Sequence, residues 1–335
     1  LPSHKNEEFE TVYRFKTLTL GGLMACAMLA TSALAQSYPN KTVKLVVPFP
    51  PGGGNDVIAR IIGQKLSARL GQSFVIENKA GANGIVGLTA VKQAAPDGYT
   101  LGIAAAGPMA VNPALYDKLP YDPTKDFEPI TNMVIYPLLL VTHPSLPVKT
   151  MKEFLALAKQ KPDTINYASP GSGNSGHLAG ELLNAMAKVK TVHVPYKGQG
   201  PAMTDLLAGQ VQALYSSIPS VLPYVEQGRL NALGIGSTKR LSSMPNVPTI
   251  AESGVPGYEA YSWIGIVAPP GTPKDIVSKL NKEITEILRQ KDVEDDLLRQ
   301  GAITAGDTPE RFAIFIKDEI VKWGGVVKSA NIKAD

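Results

Sequence analysis

The chain has 335 residues, of which 44% are apolar and 19% charged, and a formal net charge of +4. These values fit a soluble globular protein with a proper core, built as one large domain or two ordinary ones. The basic residues form no run or stripe, which argues against a nucleic-acid binder. The single cysteine, Cys26, excludes a disulfide framework.

Residues 1–35 differ from the rest. Arg14 and Lys16 precede an apolar stretch that ends in Ala33-Leu34-Ala35. A positive flank, an apolar centre and a small-x-small end make a secretory signal peptide, with cleavage expected after Ala35. The stretch is short for a membrane span and is interrupted by Gly, Thr and Ser. Cys26 sits inside the apolar segment rather than after it, so lipoprotein anchoring through Cys26 is not expected. Lys5, Arg14 and Lys16 balance Glu7, Glu8 and Glu10, so the chain from Gln36 keeps +4 and has no cysteine. The expected location is the periplasm.

From Tyr38 onward, strands and helices alternate. VKLVV (43–47) reads as a strand. It leads to a helix from Asp56 to about Leu70, capped by Asn55 or Asp56, with Val57, Ile58, Ile61, Ile62, Leu66 and Leu70 at helical spacing. SFVIEN is the next strand, then a helix from about Asn83 to Ala94, then the strand YTLGIAAAG. This order predicts a mainly parallel sheet flanked by helices. A second set begins after residue 140. Thr150 and Glu153 form a capping box. TINYAS, TVHVPY, VQALYSS and ALGIGS read as strands separated by helices. Thr272-Pro273 and Thr308-Pro309 open two long C-terminal helices, with Thr at the cap and Pro at the first position. Glu294, Asp295 and Asp296 read as a solvated helix face.

In open α/β sheets, ligands sit where strands end and helices begin, because helix N-termini present unpaired N–H groups and partial positive charge. Four such junctions share a character. In PFPPGGGND (48–56), Gly52, Gly53 and Gly54 let backbone approach a ligand, and Asn55 or Asp56 follows. A nucleotide loop does not fit, because there is no Gly-Lys-Ser/Thr, and Val57 stands where G-x-G-x-x-G needs glycine. A small carboxylate or a plain tight turn remains. AAAGPMAVNP (104–113) offers Ala105, Ala106 and Gly107 as small residues at a strand end. SPGSGNSGHLAGE (169–181) supplies Ser169, Ser172, Asn174 and Ser175, with His177 as ligand donor, catalytic base or ordinary helix residue. HVPYKGQGPA (193–202) offers Tyr196, Gly198 and Gly200, with Lys197 either a counter-charge or a surface lysine.

Taken together, PFPPGGGND, AAAGPMAVNP, NYASPGSGNSGHLAGELL, VHVPYKGQGPAMTDLLAGQV and PNVPTIAESGVPGYEAYSWIGIVAPPGTP resemble the receptors of tripartite tricarboxylate transporters, the TctC or Bug family, over residues 38–330. The resemblance implies a two-lobed, type II periplasmic-binding-protein fold. Each lobe would be a mainly parallel sheet flanked by helices, with the ligand cleft between them. Lobe 1 would comprise 36–138 plus 262–335, and lobe 2 would comprise 139–261. It implies a monomer without cofactor or metal that captures a small organic carboxylate and delivers it to integral membrane permease subunits. Carried over, Gly53, Gly54, Asn55, Ser169, Ser172, Asn174 and Ser175 would hold a ligand carboxylate. Ala105, Ala106, Gly107, His177, Tyr196 and Gly198 would line the pocket, and Phe49 would pack on the ligand body. Ser216 stands where many relatives carry an acidic residue, which favours a second carboxylate or a neutral body over an ammonium group.

Two other functions compete. A sensory receptor for a membrane signalling protein would use the same pocket. A secreted hydrolase using Ser175 and His177 lacks the G-x-S-x-G elbow, since Pro170 and His177 occupy the glycine positions around Ser172 and Ser175. No enzymatic activity is expected.

Overall fold

The computed structural model describes residues 38–333. The expected signal peptide, its cleavage site and Cys26 lie outside the described residues. From Lys41 onward the chain forms one unit, and among the described residues no helix is long and apolar enough to cross a membrane.

Strands β1 (Val43–Val47), β2 (Phe74–Asn78) and β3 (Thr100–Ala105) pair in parallel, in the order β2-β1-β3. Helices α1 (Gly54–Leu70) and α2 (Ile85–Lys92) connect them. A π-helical turn, Gly107–Val111, runs on into the short α3 (Asn112–Leu115). The chain then enters β4 (Glu128–Thr142), a 15-residue strand on which the molecule is organised. Next come α4 (Met151–Gln160), β5 (Asn166–Ser169), α5 (Ser175–Ala187), β6 (Val192–Pro195), α6 (Gln199–Leu207), β7 (Ala213–Ser217), α7 (Ile218–Glu226) and β8 (Asn231–Ile235). The chain returns through β9 (Tyr261–Ala268), α8 (Lys274–Leu288), α9 (Lys291–Arg299), β10 (Ile303–Thr304) and α10 (Pro309–Ser329).

The strands follow the order β2-β1-β3-β9-β4-β7-β5-β6, with β8 and β10 also on β4. The N-terminal part of β4 pairs with β9 and β10, and its C-terminal part with β7 and β8. The change of partner falls between Pro137, opposite Tyr261, and Leu138, opposite Ser217. One strand therefore belongs to both lobes. The expectation of mainly parallel sheets holds for β2-β1-β3 and β6-β5-β7, while every pairing made by β4 and β9 is antiparallel. The reason is connectivity: β4 and β9 carry the chain out of the first lobe and back, so they run in opposite senses.

Both faces of the second lobe's sheet are covered. Leu138 and Leu140 of β4 pack with Phe154 of α4 and Leu183 of α5. Leu139 and Val141 face the other way, onto Leu206 of α6 and Val221 of α7. This is the period-2 alternation of a strand. In the first lobe, Val46, Ala104, Trp263 and Val267 pack under Phe312, Ile316 and Trp323 of α10. The Thr150–Glu153 capping box and the Thr308 cap form as the sequence predicts. At α8 the cap is Pro273, because the Thr272 hydroxyl turns back to donate to the Pro269 carbonyl.

Candidate functional site

Four helices begin at one cavity. Helix α1 starts after Gly53, whose extended backbone (φ −79°, ψ 167°) makes it the N-cap without any side-chain cap. The sequence expectation of Asn55 or Asp56 as cap is corrected here. Asp56 lies on the first turn and reaches back, accepting from the Gly52 N–H at 3.0 Å. Its carboxylate also accepts from Arg60 (2.9 and 3.0 Å) and from Asn78 Nδ2 (2.9 Å), which in turn bonds the Phe49 carbonyl at 3.1 Å. The Arg60 guanidinium, aided by Gly52 and Asn78, outweighs burial and lowers the Asp56 pKa to about 2. Asp56 is thus a latch on the glycine loop.

Helix α5 is capped by Asn174, whose Oδ1 accepts from the N–H groups of Gly176 and His177. Helix α6 starts after Gly198, held at φ +110° and offering no side chain. Helix α7 starts after Ser217, which does not cap it because its hydroxyl pairs with Ser220 Oγ at 2.8 Å. Three of the four N-termini therefore lack the side-chain oxygen that normally satisfies the first-turn donors.

The cavity, about 350 Å³, is bounded by the starts of these helices: Gly54 and Asn55, Ser175 and Gly176, Gln199, and Ser217 with Ser220. Tyr136 and Leu138 of β4 and Ser262 and Ile264 of β9 also line it. Ile135 and Pro137, on alternate positions of the same strand, line a groove on the opposite face. An adjoining space of about 160 Å³ shares Asn55, Asn174, Ser175 and Ser262 and adds Phe49, Asn83, Ala105, Ala106, Gly107 and Trp323. Among the described residues, no Lys, Arg, His, Asp or Glu lines either space. The field there comes from backbone dipoles.

Three buried polar atoms on the cavity's lining residues have no hydrogen-bond partner among the described residues: Asn55 Oδ1, the Tyr136 hydroxyl and the Tyr215 hydroxyl. Buried polar groups are nearly always paired, so Asn55 and Tyr136 mark a place built to receive a polar guest, while the Tyr215 ring packs edge-on against Tyr167 in the second lobe's core. Burial pushes both phenols well above the ordinary tyrosine range, so they remain neutral donors. Gln199 Nε2 donates to Ser216 Oγ at 2.8 Å, which leaves the amide oxygen of Gln199 to accept and the serine hydroxyl to donate.

Of the residues singled out from sequence, Phe49, Gly54, Asn55, Ala105, Ala106, Gly107, Asn174, Ser175 and Ser216 line these two spaces. Gly53 and Gly198 are the N-caps just behind them. Ser169 is fully buried, with its hydroxyl on the Gly171 carbonyl and His193. Ser172 and His177 line a separate recess with Glu181 and His193. The Tyr196 hydroxyl donates to Asp205 at 2.7 Å, and its ring packs in the second lobe's core. The sequence reading passed over Tyr136, Tyr215, Gln199 and Ser262. Only Gln199 carried a local signal, lying between two of the glycines at the fourth junction.

Comparison with known proteins decides the family. The profile of the Tripartite tricarboxylate transporter family receptor, TctC, matches residues 58–332. The chain belongs to this family. It is 38% identical to Protein BugT of Bordetella pertussis (strain Tohama I) over 94% of this chain and 97% of that protein. Among solved structures, it is similar to an R. palustris protein with adipate, at 38% identity and TM-score 0.77, covering 88% of this chain and 99% of that one. It is also similar to MatC of Rhodopseudomonas palustris with bound malate, at 37% identity and TM-score 0.73, covering 87% and 100%. The receptor is a two-lobed solute-binding protein and not an enzyme. The close contact of Ser169 Oγ with His193 Nε2 at 2.6 Å involves a serine with no solvent exposure and hence no substrate access.

Proposed function

We propose that this receptor captures a small dicarboxylate in the cavity between its lobes and hands it to the integral membrane subunits of a tripartite transporter. One observation carries the reading: three uncapped helix N-termini and two unpaired polar atoms, Asn55 Oδ1 and the Tyr136 hydroxyl, adjoin a space that no charged side chain among the described residues lines. Helix N-termini are natural anion sites. The adipate and malate carried by the two solved relatives support the same class of ligand. Asn55, Ser175 and the first turn of α1 would take one carboxylate. Gln199, Ser216 and the first turn of α7 would take the other, where the absence of an acidic residue at position 216 leaves no counter-ion for an ammonium group.

The magnitudes are adequate. Micromolar binding corresponds to about 8 kcal/mol, and hydrogen bonds to a charged group contribute about 1.5–3 kcal/mol each. Four or five such bonds reach that gross value, and closure over the ligand offsets the several kcal/mol lost on association. The lobes would be 36–138 plus 262–335, and 139–261, pivoting where β4 changes partners. The protein would act as a monomer in the periplasm after loss of residues 1–35.

Titration calorimetry of the chain from Gln36 against aliphatic and aromatic mono-, di- and tricarboxylates tests this. A dicarboxylate is expected to bind saturably at one site, its dimethyl ester is not, and Gln199→Ala is expected to weaken binding at least tenfold. Absence of saturable binding by every acid in the panel overturns the reading.

A further inference from the structure

His177 and His193 lie outside the cavity, yet His177 is bonded to the loop that carries Asn174 and Ser175 into it, and His193 to Ser169, the last residue of β5 before that loop. Their rings stack face to face, with centroids 3.6 Å apart and planes 7° from parallel. Gly173 donates its N–H to His177 Nδ1 at 3.0 Å. That nitrogen is therefore unprotonated, and the ring is neutral with its proton on Nε2. The Ser169 hydroxyl, 2.9 Å from the Gly171 carbonyl and 2.6 Å from His193 Nε2, can donate to the ring or accept from it. The two rings thus respond differently to acid. His193 keeps its bond to Ser169 whether neutral or charged. His177 cannot be protonated on Nδ1 without setting two donors against each other.

Gly173 links this pair to the lobes. Its backbone is left-handed (φ +73°), and a Cβ built on it would fall 2.6 Å from Leu115 Cδ1, so the loop closely approaches α3 at this point. The residue held by His177 thus touches an element of the first lobe, as Leu178 on the next turn also does.

We propose that His177 is a positioning residue for the ligand loop, and that the stacked pair makes ligand affinity fall as pH falls. The proposal rests on the dicarboxylate reading above. Two imidazolium rings in a stack repel, so the pair titrates as a unit. The first proton leaves the Gly173 bond intact, and the second breaks it. The ordered loop holds fewer protons than the released loop, so order is complete at the alkaline side of the histidine range and is lost towards its acid side. Every facing element contributes. Glu181, one turn along α5, accepts from the Tyr167 hydroxyl of β5 at 2.6 Å and favours protonation of the pair. Tyr167 also donates to the His177 carbonyl at 3.3 Å and packs against the His193 ring, with centroids 5.2 Å apart. Lys333, near the C-terminus, lines the same recess and opposes protonation.

The test compares adipate affinity from pH 8 to pH 5 in the wild type, His177→Asn and His193→Gln. Asparagine places an acceptor near the position of Nδ1 but does not titrate. The wild type is expected to lose at least tenfold in affinity over that range. His177→Asn should stay within threefold of the wild type at pH 8 and change less than threefold on acidification. Adipate's own protonation is common to all three proteins and cancels in the comparison. His193→Gln removes the neighbouring charge and should move the loss to higher pH. In the ligand-free wild type, ¹⁵N NMR should show His177 as the Nε2–H tautomer at pH 8, with the Gly173 amide shifting as His177 titrates. A wild-type pH profile in His177→Asn, or an Nδ1–H tautomer at pH 8, overturns the proposal. If adipate does not bind but the NMR titration is as stated, the loop switch stands and the adipate assignment falls.

Discussion

Replacing Tyr136 with Phe removes one oxygen atom and separates binding from stability. The Tyr136 hydroxyl is buried, has no partner among the described residues, and lies 3.8 Å from where a Cβ on Gly54 would sit, against the first turn of α1. A buried polar group without a partner costs roughly 1–3 kcal/mol. Tyr136→Phe should therefore leave the ligand-free protein as stable as the wild type or up to about 1 kcal/mol more stable, a rise of no more than about 2–4 °C in Tm for a chain of this size. In the bound state the phenol donates to a carboxylate, and losing a charge-assisted hydrogen bond of about 1.5–3 kcal/mol should weaken binding roughly 10- to 150-fold. Thermal unfolding without ligand and calorimetry with the best-binding dicarboxylate measure the two effects on the same sample. A variant that is less stable without ligand, or that binds as tightly as the wild type, would show that the hydroxyl is satisfied by something other than the ligand.

Asp56→Asn tests the latch on the glycine loop. The Asp56 carboxyl has a folded-state pKa of about 2, below its ordinary 3.8, so it contributes stability that is fully present above about pH 4 and is lost as pH falls through about 2. With the partly exposed Arg60 discounted for screening, the variant should be about 1–2 kcal/mol less stable at pH 7, and the difference should vanish near pH 2 in urea titrations. Glu319 is buried under the first lobe and accepts from the indoles of Trp263 (3.1 Å) and Trp323 (2.8 Å), the chain's two tryptophans, and from Tyr261 and Lys322. Glu319→Ala leaves both indole N–H groups unpaired and should cost about 3–5 kcal/mol, with a change in tryptophan emission. Glu319→Gln, which keeps one acceptor oxygen, should cost less than half of that.

The sequence pattern revealed the longer helices and the six parallel strands, because each rests on local spacing, but not the helical turns over Gly107–Val111 and Asn112–Leu115. Val57 to Leu70 repeats at 3.6, and Thr150 and Glu153 lie the right distance apart for a capping box. It did not reveal β4. That strand is covered on both faces by the cores around Phe154 and Leu206, so it reads as a continuous apolar run rather than an alternation. Pro129 and Pro137 further disguise it as a loop, although both sit within the ladder, opposite Val267 and Tyr261. The site divided along the same line. The glycine- and serine-rich junctions were visible because their composition is local. Tyr136, Tyr215 and Ser262 were not, because they enter the cavity only through long-range pairing of β4 with β7 and β9. His177 was picked out by its position in a polar loop. Its partner His193 is 16 positions away on a separate strand, and no sequence spacing joins them.

The absence of charged side chains among the described residues that line the cavity suits a protein that must release what it binds. An arginine would hold a carboxylate bidentately, and the grip would persist with the lobes apart. Here the donors are divided between the lobes. With the lobe boundaries proposed above, the start of α1 lies on the first lobe, and the starts of α5, α6 and α7 on the second. On the proposed reading, opening at β4 separates α1 from the other three. The ligand then loses the first-lobe bonds, and water enters to screen the remaining dipoles. Losing two bonds of about 1.5–3 kcal/mol lowers affinity by roughly two to four orders of magnitude, since each 1.4 kcal/mol is tenfold. Adding a charge should therefore impair delivery while improving capture. Asn55→Arg, on the rim of α1, is the variant in which tight binding and lost transport would appear together.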